Sequence, residues 1–383
     1  MIQKSSKNLC SSFYPLYSLL KFCGLFVPSF ESTYSIIVRI YGKIYAVCVI
    51  FTIAGLFLWN MLRNFQLLSN SYQLLDSALE GSTIISGTSL LVTLIYQYSR
   101  SENFPQLYNV IDQVDEKLAL LKLHINYNGH RRQSFYFIYG TLLFWALHMT
   151  LTPIIIMVEN KENFNFDIGM SALFNILNIY CIPFIFQFAC PVVAIRDRFC
   201  LVYQKKHTKM IEIYITLEIY EKLFECIDLI NNNLTFPLIH MFGFLLVSII
   251  FEIHNFILVF HLQAHVNFLI LSPNVLWMFL CLHLWIVVIY SSVSTMTSFN
   301  KINSIEYQIL KDMKSLEPNT FRFIKAYLTH IRGIRKSFET LFFDIDWRLL
   351  FGCISTATTY IIVTAQIDKS LYEAPSNATA TLF

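Results

Sequence analysis

Thr359-Tyr360-Ile361-Ile362-Val363-Thr364-Ala365-Gln366-Ile367 closes the last long apolar segment of the chain, sixteen residues before the C-terminus. A Gln at the end of an apolar helix is costly unless it meets water or a partner. Thr359, Ile362 or Val363, and Gln366 share one helical face. A mixed polar and apolar face on a terminal membrane helix suits the lining of a pore. The same spacing also suits a packed helix whose Gln marks the water interface, so the residues alone leave both readings open.

Composition sets the class. Of 383 residues, 55% are hydrophobic and 14% charged, and the mean hydropathy is +0.53. Soluble domains carry about 25% charged residues, so this is an integral membrane protein with several spans. Its 35 Phe and 21 Tyr suit lipid-facing and helix-packing surfaces as well as a ligand site. A net charge of +3, with no basic block or Gly-rich phosphate loop, gives no case for nucleic acid. The nine cysteines are scattered without a C-x-x-C pair. No cleavable leader is evident in residues 12–27, where Pro15 and Lys21 interrupt the apolar run.

Seven apolar stretches are long enough to cross a bilayer, near 42–62, 74–98, 134–158, 168–195, 235–260, 267–293 and 345–367. Long polar segments, 99–133, 196–234 and 294–344, alternate with short connections. Basic residues crowd one side. The N-terminal segment holds Lys4, Lys7, Lys21, Arg39 and Lys43, and the three long segments add Arg100, Arg131, Arg132, Arg196, Arg198, Lys205, Lys301, Arg322, Arg335 and others. The opposite side has Arg63, Lys161 and Lys369. The positive-inside rule then predicts the N-terminus inside and the C-terminus outside. This is the reverse of a G-protein-coupled receptor, and neither Asp-Arg-Tyr nor Asn-Pro-x-x-Tyr stands where that class has them. Of two glycosylation sequons, Asn377 falls on the predicted outer tail and Asn233 on the inner side.

Polar residues recur on single faces within the apolar stretches. They are Asp76, Glu80 and Thr83; Trp145, His148 and Thr152; Ser171, Asn175 and Asn178; Ser248, Glu252 and Asn255; and Asn274 with Trp277. With the predicted orientation they lie in the middle or outer half of the membrane, where polar groups turn toward each other or a wet cavity. The expected small-molecule pocket draws on Trp145, His148, Thr152, Asn175, Asn178, Glu252, Asn255, Asn274 and Trp277. Interhelical hydrogen bonding that only glues the bundle is the competing account. Glu252 is the strongest functional candidate, as an ionisable residue inside the membrane. His261 and His265 stand four apart, but no Cys or carboxylate completes a metal set. No nucleophile–base motif appears, so neither an enzyme nor a cofactor is expected.

The Thr359-Tyr360 pair, five mostly apolar residues and Gln366 resemble the Thr-Tyr-(five hydrophobic)-Gln-Phe signature of the insect gustatory receptor family. Ile367 replaces the usual Phe. Residues 13–28, from Phe13 to Pro28, resemble the family's N-terminal leader. The resemblance implies an all-α, seven-helix chemoreceptor channel in the plasma membrane of sensory neurons, gated by a small-molecule tastant and passing cations without strong selectivity. It implies a homotetramer, open to co-assembly with other gustatory receptors. The implied parts are a cytoplasmic segment 1–41, a six-helix bundle 42–293 with the pocket, a cytoplasmic helical anchor 294–344, a pore helix 345–367 and an extracellular tail 368–383. The pore and gate set is Thr359, Ile362, Val363, Gln366, Ile367 and Asp368. The family's sugar branch places Glu after Thr-Tyr, where this chain has Ile361. A bitter or plant secondary compound is the favoured agonist, with a sugar or polyol, a transporter, or a pore-less signalling receptor as alternatives.

Overall fold

The computed structural model describes residues 12–25, 36–68, 74–100, 103–159, 179–205, 210–262, 268–301 and 342–373, with 322, 324–327, 329 and 337–340. These residues form α1 (Tyr14–Phe22), α2 (Ile36–Leu68), α3 (Leu74–Arg100), α4 (Phe104–Leu120), α5 (Tyr127–Glu159), α6 (Cys181–Gln204), α7 (Met210–Leu262), α8 (Phe268–Asn300) and α9 (Trp347–Glu373). Seven of them, α2, α3, α5, α6, α7, α8 and α9, overlap the seven expected spans, residues 168–178 of the fourth lying outside the described residues. Among the described residues, four helical stretches are long and apolar enough to cross a bilayer, Ile40–Trp59, Tyr127–Ile154, Met210–His254 and Ser272–Asn300, and Trp347–Val363 is a shorter apolar one.

At the centre stands α6, whose residues from Cys181 to Val192 are all buried. A helix apolar on every side belongs inside a bundle, and α6 packs on α8, α7, α5 and α1. Around it α3 lies against α2 and α7, and α9 rests on α7 and, more lightly, α8. The close approach of α2 and α3 depends on Gly87, since a Cβ there would fall 2.2 Å from the Phe57 ring. Gly24, at φ +68°, ends the turn after α1 in a conformation that favours glycine.

The sequence predicts a boundary at 234/235, between a polar segment and a span, whereas α7 runs unbroken through 53 residues. At 1.5 Å per residue that is about 80 Å, far more than the ~30 Å hydrocarbon core. One half of α7 therefore extends out of the membrane at the end where the basic segments gather. Ile213, Leu217, Tyr220, Phe224, Ile227 and Leu234 follow helical spacing there, and all are buried. α4 packs against this half with Leu107, Ile111, Val114 and Leu118, each no more than 1% exposed. Outside lipid, burying each such side chain stabilises by about 1.5–3 kcal/mol. Pro105 in the first turn helps start α4, where its missing N–H costs nothing.

Candidate ligand site and last helix

Helix direction fixes depth. α5 and α7 end, and α8 begins, at the face opposite the basic segments. His148, Glu252 and Trp277 each lie about ten residues from those ends, hence at a common depth of about 15 Å. The structure brings this group together in part. The His148 and Trp277 rings are 5.4 Å apart, and both residues are buried. Thr152 donates from Oγ1 to the His148 carbonyl at 2.9 Å, one turn back along its own helix. Glu252 is half-buried, but its Oε2 is sealed from solvent and has no hydrogen-bond partner among the described residues. Cys281 is within electrostatic reach of Glu252 and of Cys181, which ties α7, α8 and α6 into one locus. Trp145 is half-buried with its indole N–H also buried and unpartnered, and Asn274 is half-buried. Asn175 and Asn178 lie outside the described residues, and Asn255 is placed only by its backbone in α7. A carboxyl oxygen and an indole N–H buried without partners among the described residues suit a polar ligand atom.

α9 shows a narrow buried face and a broad uncovered one. Leu350 and Ala357 are buried, with Cys353 half-buried, on the α7 side. Phe351, Ile354, Tyr360, Ile362 and Val363 are 46–65% exposed, and Thr359 and Gln366 are exposed with them. Thr356, Thr358 and Thr359 each donate to the carbonyl one turn earlier, which satisfies their hydroxyls inside the helix. Ile367 and Asp368 are placed only by the α9 backbone.

The entry to α9 is pinned to α7. Asn231 Nδ2 donates to the Ser337 carbonyl at 2.9 Å, and the Glu339 N–H donates back to Asn231 Oδ1 at 3.4 Å. Thr235 Oγ1 donates to the Glu339 carbonyl at 3.0 Å. Phe338 inserts beside Phe188 of α6, ring centroids 5.8 Å apart. Asp346 caps α9, accepting from the N–H groups of Arg348 and Leu349 at 2.8 and 3.1 Å. Asp344 accepts from Ser337 Oγ at 2.8 Å.

A polar network at the basic end went unseen in the sequence. Arg198 of α6, fully buried, donates from Nε and Nη2 to the two Asp115 oxygens of α4 at 2.6 and 2.7 Å, and from Nη1 to the Ala194 carbonyl at 2.7 Å. Tyr127 of α5 donates to Asp115 at 2.8 Å. Burial works against the Arg198 charge, yet the Asp115 carboxylate holds the guanidinium above its ordinary value. Burial, with Asp115 adding to it and Arg198 opposing, pushes the nearby Asp112 carboxyl up to about 7. The signal for Asp115 was its place on the apolar face of α4, beside Ile111, Val114 and Leu118. Asn233, the inner sequon, is 2% exposed and accepts from Asn103 Nδ2 at 3.0 Å, so it offers no site for a glycan. Among the described residues no group of three His, Cys, Asp or Glu is placed to hold a metal ion.

Comparison with known proteins joins this geometry to a family. The 7tm chemosensory receptor family matches residues 13–371. No curated protein matches the chain in sequence. The fold is similar to that of the insect olfactory receptor OR5 from Machilis hrabei, with a TM-score of 0.64 at 10% identity, covering 93% of this chain and 97% of that one. It is also similar to OR5 in complex with eugenol, with a TM-score of 0.63 at 12% identity, covering 94% and 99%. The match takes in α1 through nearly all of α9, including Thr359 to Gln366, and the chain belongs to the 7tm chemosensory receptor family.

Proposed function

We propose that this chain is a gustatory receptor, one subunit of a homotetrameric, ligand-gated, non-selective cation channel opened by a small-molecule tastant. The observation that carries the reading is α9. A membrane helix with Thr359, Ile362, Val363 and Gln366 uncovered on one broad face is suited to meet other copies around a pore. In that arrangement Ile367 forms a hydrophobic constriction near the outer mouth, and Asp368 sets a ring of carboxylates that favours cations. The agonist site is the locus of Trp145, His148, Glu252 and Trp277, completed by Thr152, Asn175, Asn178, Asn255 and Asn274. OR5, the structural relative, has been seen with eugenol, and a small aromatic compound suits aromatic walls with a few polar atoms. A bitter or plant secondary compound is the agonist class we favour.

α7 supplies the connection between site and pore. It carries Glu252 near one end and holds the entry to α9 through Asn231 and Thr235 near its middle. Ligand binding biases α9 only to the extent that its affinity differs between closed and open states. The test is to express the chain alone, apply a tastant panel and record current and calcium entry. Agonist-evoked current, with Glu252→Ala and Trp277→Ala shifting the dose–response curve to higher concentration at normal surface expression, is the expected result. Substrate uptake without current, or a response abolished by blocking G proteins, would refute the channel reading. A surface-accessible N-terminal tag would refute its orientation.

A further inference from the structure

A cavity of about 170 Å³ lies between α5 and α8, toward the basic end and away from the agonist locus. Its floor is the buried face of α6, Phe186, Ala189 and Cys190. Its mouth is formed by Phe137, Ile286 and Tyr290, which are 40%, 45% and 56% exposed. All three stand in stretches apolar enough to cross the bilayer, so the mouth opens sideways into hydrocarbon and whatever enters comes through the membrane. An apolar cavity of about 150 Å³ takes a group as large as benzene, and a stretch of acyl chain has similar bulk. Apart from Gln133 and the Tyr290 hydroxyl, the polar groups of the wall have partners among the described residues, and His283 Nε2 is 3.5 Å from Thr141 Oγ1. Ser134 Oγ is 3.8 Å from Cys190 Sγ, Ser291 donates to the Val288 carbonyl at 2.8 Å, and His130 faces Asp197 at 3.5 Å. Such a wall makes little demand for a polar ligand.

The charges beside the cavity identify the rest of the occupant. Five cations at the basic end pair with carboxylates: Arg198 with Asp115, Arg196 with Asp197, Lys117 with Glu218, Lys205 with Glu212 and Lys222 with Glu225. Arg131 and Arg132, on the α5 turn just beyond Ser134, are exposed and meet no carboxylate among the described residues. Arg132 instead lies over the Tyr136 ring at 5.5 Å, an arrangement suited to the head-group level of a bilayer. Phe137 is six residues from Arg131, about 9 Å along the helix. We propose that the cavity holds an acyl chain of an anionic phospholipid from the leaflet at the basic end, with its head group on Arg131 and Arg132. The site is separate from the agonist locus, and it stands or falls independently of which tastant opens the channel.

The test uses the purified full-length chain in nanodiscs containing phosphatidylserine with a photoactivatable group on its acyl chain. Cross-linked peptides are mapped by mass spectrometry. Labelling is expected to concentrate on α5 near Phe137, α6 near Cys190 and α8 near Ile286. Ile286→Trp, a change at an exposed position that spares the fold, blocks the mouth and is expected to remove most of the label. Ala189→Trp fills the floor and serves as a second blocking variant. The double variant Arg131→Gln/Arg132→Gln is expected to lower the preference for phosphatidylserine over phosphatidylcholine by about tenfold. Label spread evenly over the lipid-facing helices, or unchanged by Ile286→Trp, would overturn the acyl-chain site. Equal labelling by the two lipids in the wild type would overturn the head-group assignment. A disulfide between copies through Ile286→Cys would show that a second copy covers the mouth, and would likewise overturn the proposal.

Discussion

Replacing Arg198 with Met removes a fully buried guanidinium that holds α4 to α6. Three hydrogen bonds go with it, two of them a fork onto Asp115. Asp115 is then left buried as an anion with the Tyr127 hydroxyl as its one remaining hydrogen-bond donor among the described residues. Removing one partner of a buried ion pair typically costs about 3–5 kcal/mol, against a total folding stability of about 5–15 kcal/mol for an ordinary domain. Arg198→Met is therefore expected to reduce surface expression sharply and to lower the melting temperature of the detergent-solubilised protein. The companion variant Asp115→Leu/Arg198→Met removes both charges and is expected to recover most of the loss, because an apolar pair of similar volume is often neutral or stabilising. Tyr127→Phe, which deletes one hydrogen bond to the same carboxylate, is expected to cost about 1–2 kcal/mol. Fluorescence-detected size-exclusion chromatography after heating compares these variants and the single variant Asp115→Leu with the wild type. If the double variant is as damaged as the sum of the single ones, Arg198 and Asp115 are not coupled, and the role given to the pair is wrong.

Asp112 makes a pH prediction. Its folded carboxyl titrates near 7, above the ordinary carboxylate range, so the fold favours the protonated form, and its contribution fades as pH rises toward about 7. Wild-type protein is expected to lose thermal stability as pH rises from about 4 to about 7 and to level off above that, and Asp112→Asn to flatten that slope; an unchanged slope would remove Asp112 as the cause. Asn231→Ala breaks both contacts to the entry of α9 and is expected to shift gating while leaving agonist binding intact, measured by comparing current with direct ligand binding. Asp346→Ala is expected to cost about 1 kcal/mol of helix stability through the lost cap, visible as a lower melting temperature. Ile367→Ala is expected to leak current without agonist; a well-expressed variant that stays closed would refute the gate assignment but leave the family intact.

Much of the fold was open to reading because hydrocarbon imposes a single rule. Runs of about 20 apolar residues must be helical and must cross, so the span containing Trp145 and the one containing Trp277 were visible from composition. The half of α7 outside the membrane obeys a subtler signal. Ile213, Leu217, Tyr220 and Phe224 repeat at helical spacing, but Glu212, Glu218, Glu221 and Lys222 between them dilute the hydropathy. Averaged over a window, that segment reads as a polar connection. Read by period, it is an amphipathic helix whose apolar stripe meets α4.

The candidate sites divide along the same line. Glu252 and His148 stood out because a polar side chain in an apolar run is conspicuous and expensive. Asp115 and Arg198 were hidden because charged residues in a polar segment look like solvated surface, and only the packing of α4 and α6 shows that they are buried together. The lateral cavity left no sequence signal, since Phe137, Ala189 and Ile286 are ordinary membrane residues and an unfilled volume is a property of three helices at once. The threonines of α9 show how far spacing alone can go. Thr359 shares a face with Gln366 and reads as pore-lining, yet its hydroxyl is already bonded to the Ser355 carbonyl at 3.0 Å. Its polar atom makes little demand on water or on a neighbour, so that face of α9 can pack against other helices or line a wet path at little cost. In the channel proposed here, a helix that changes its neighbours on opening is helped by that indifference.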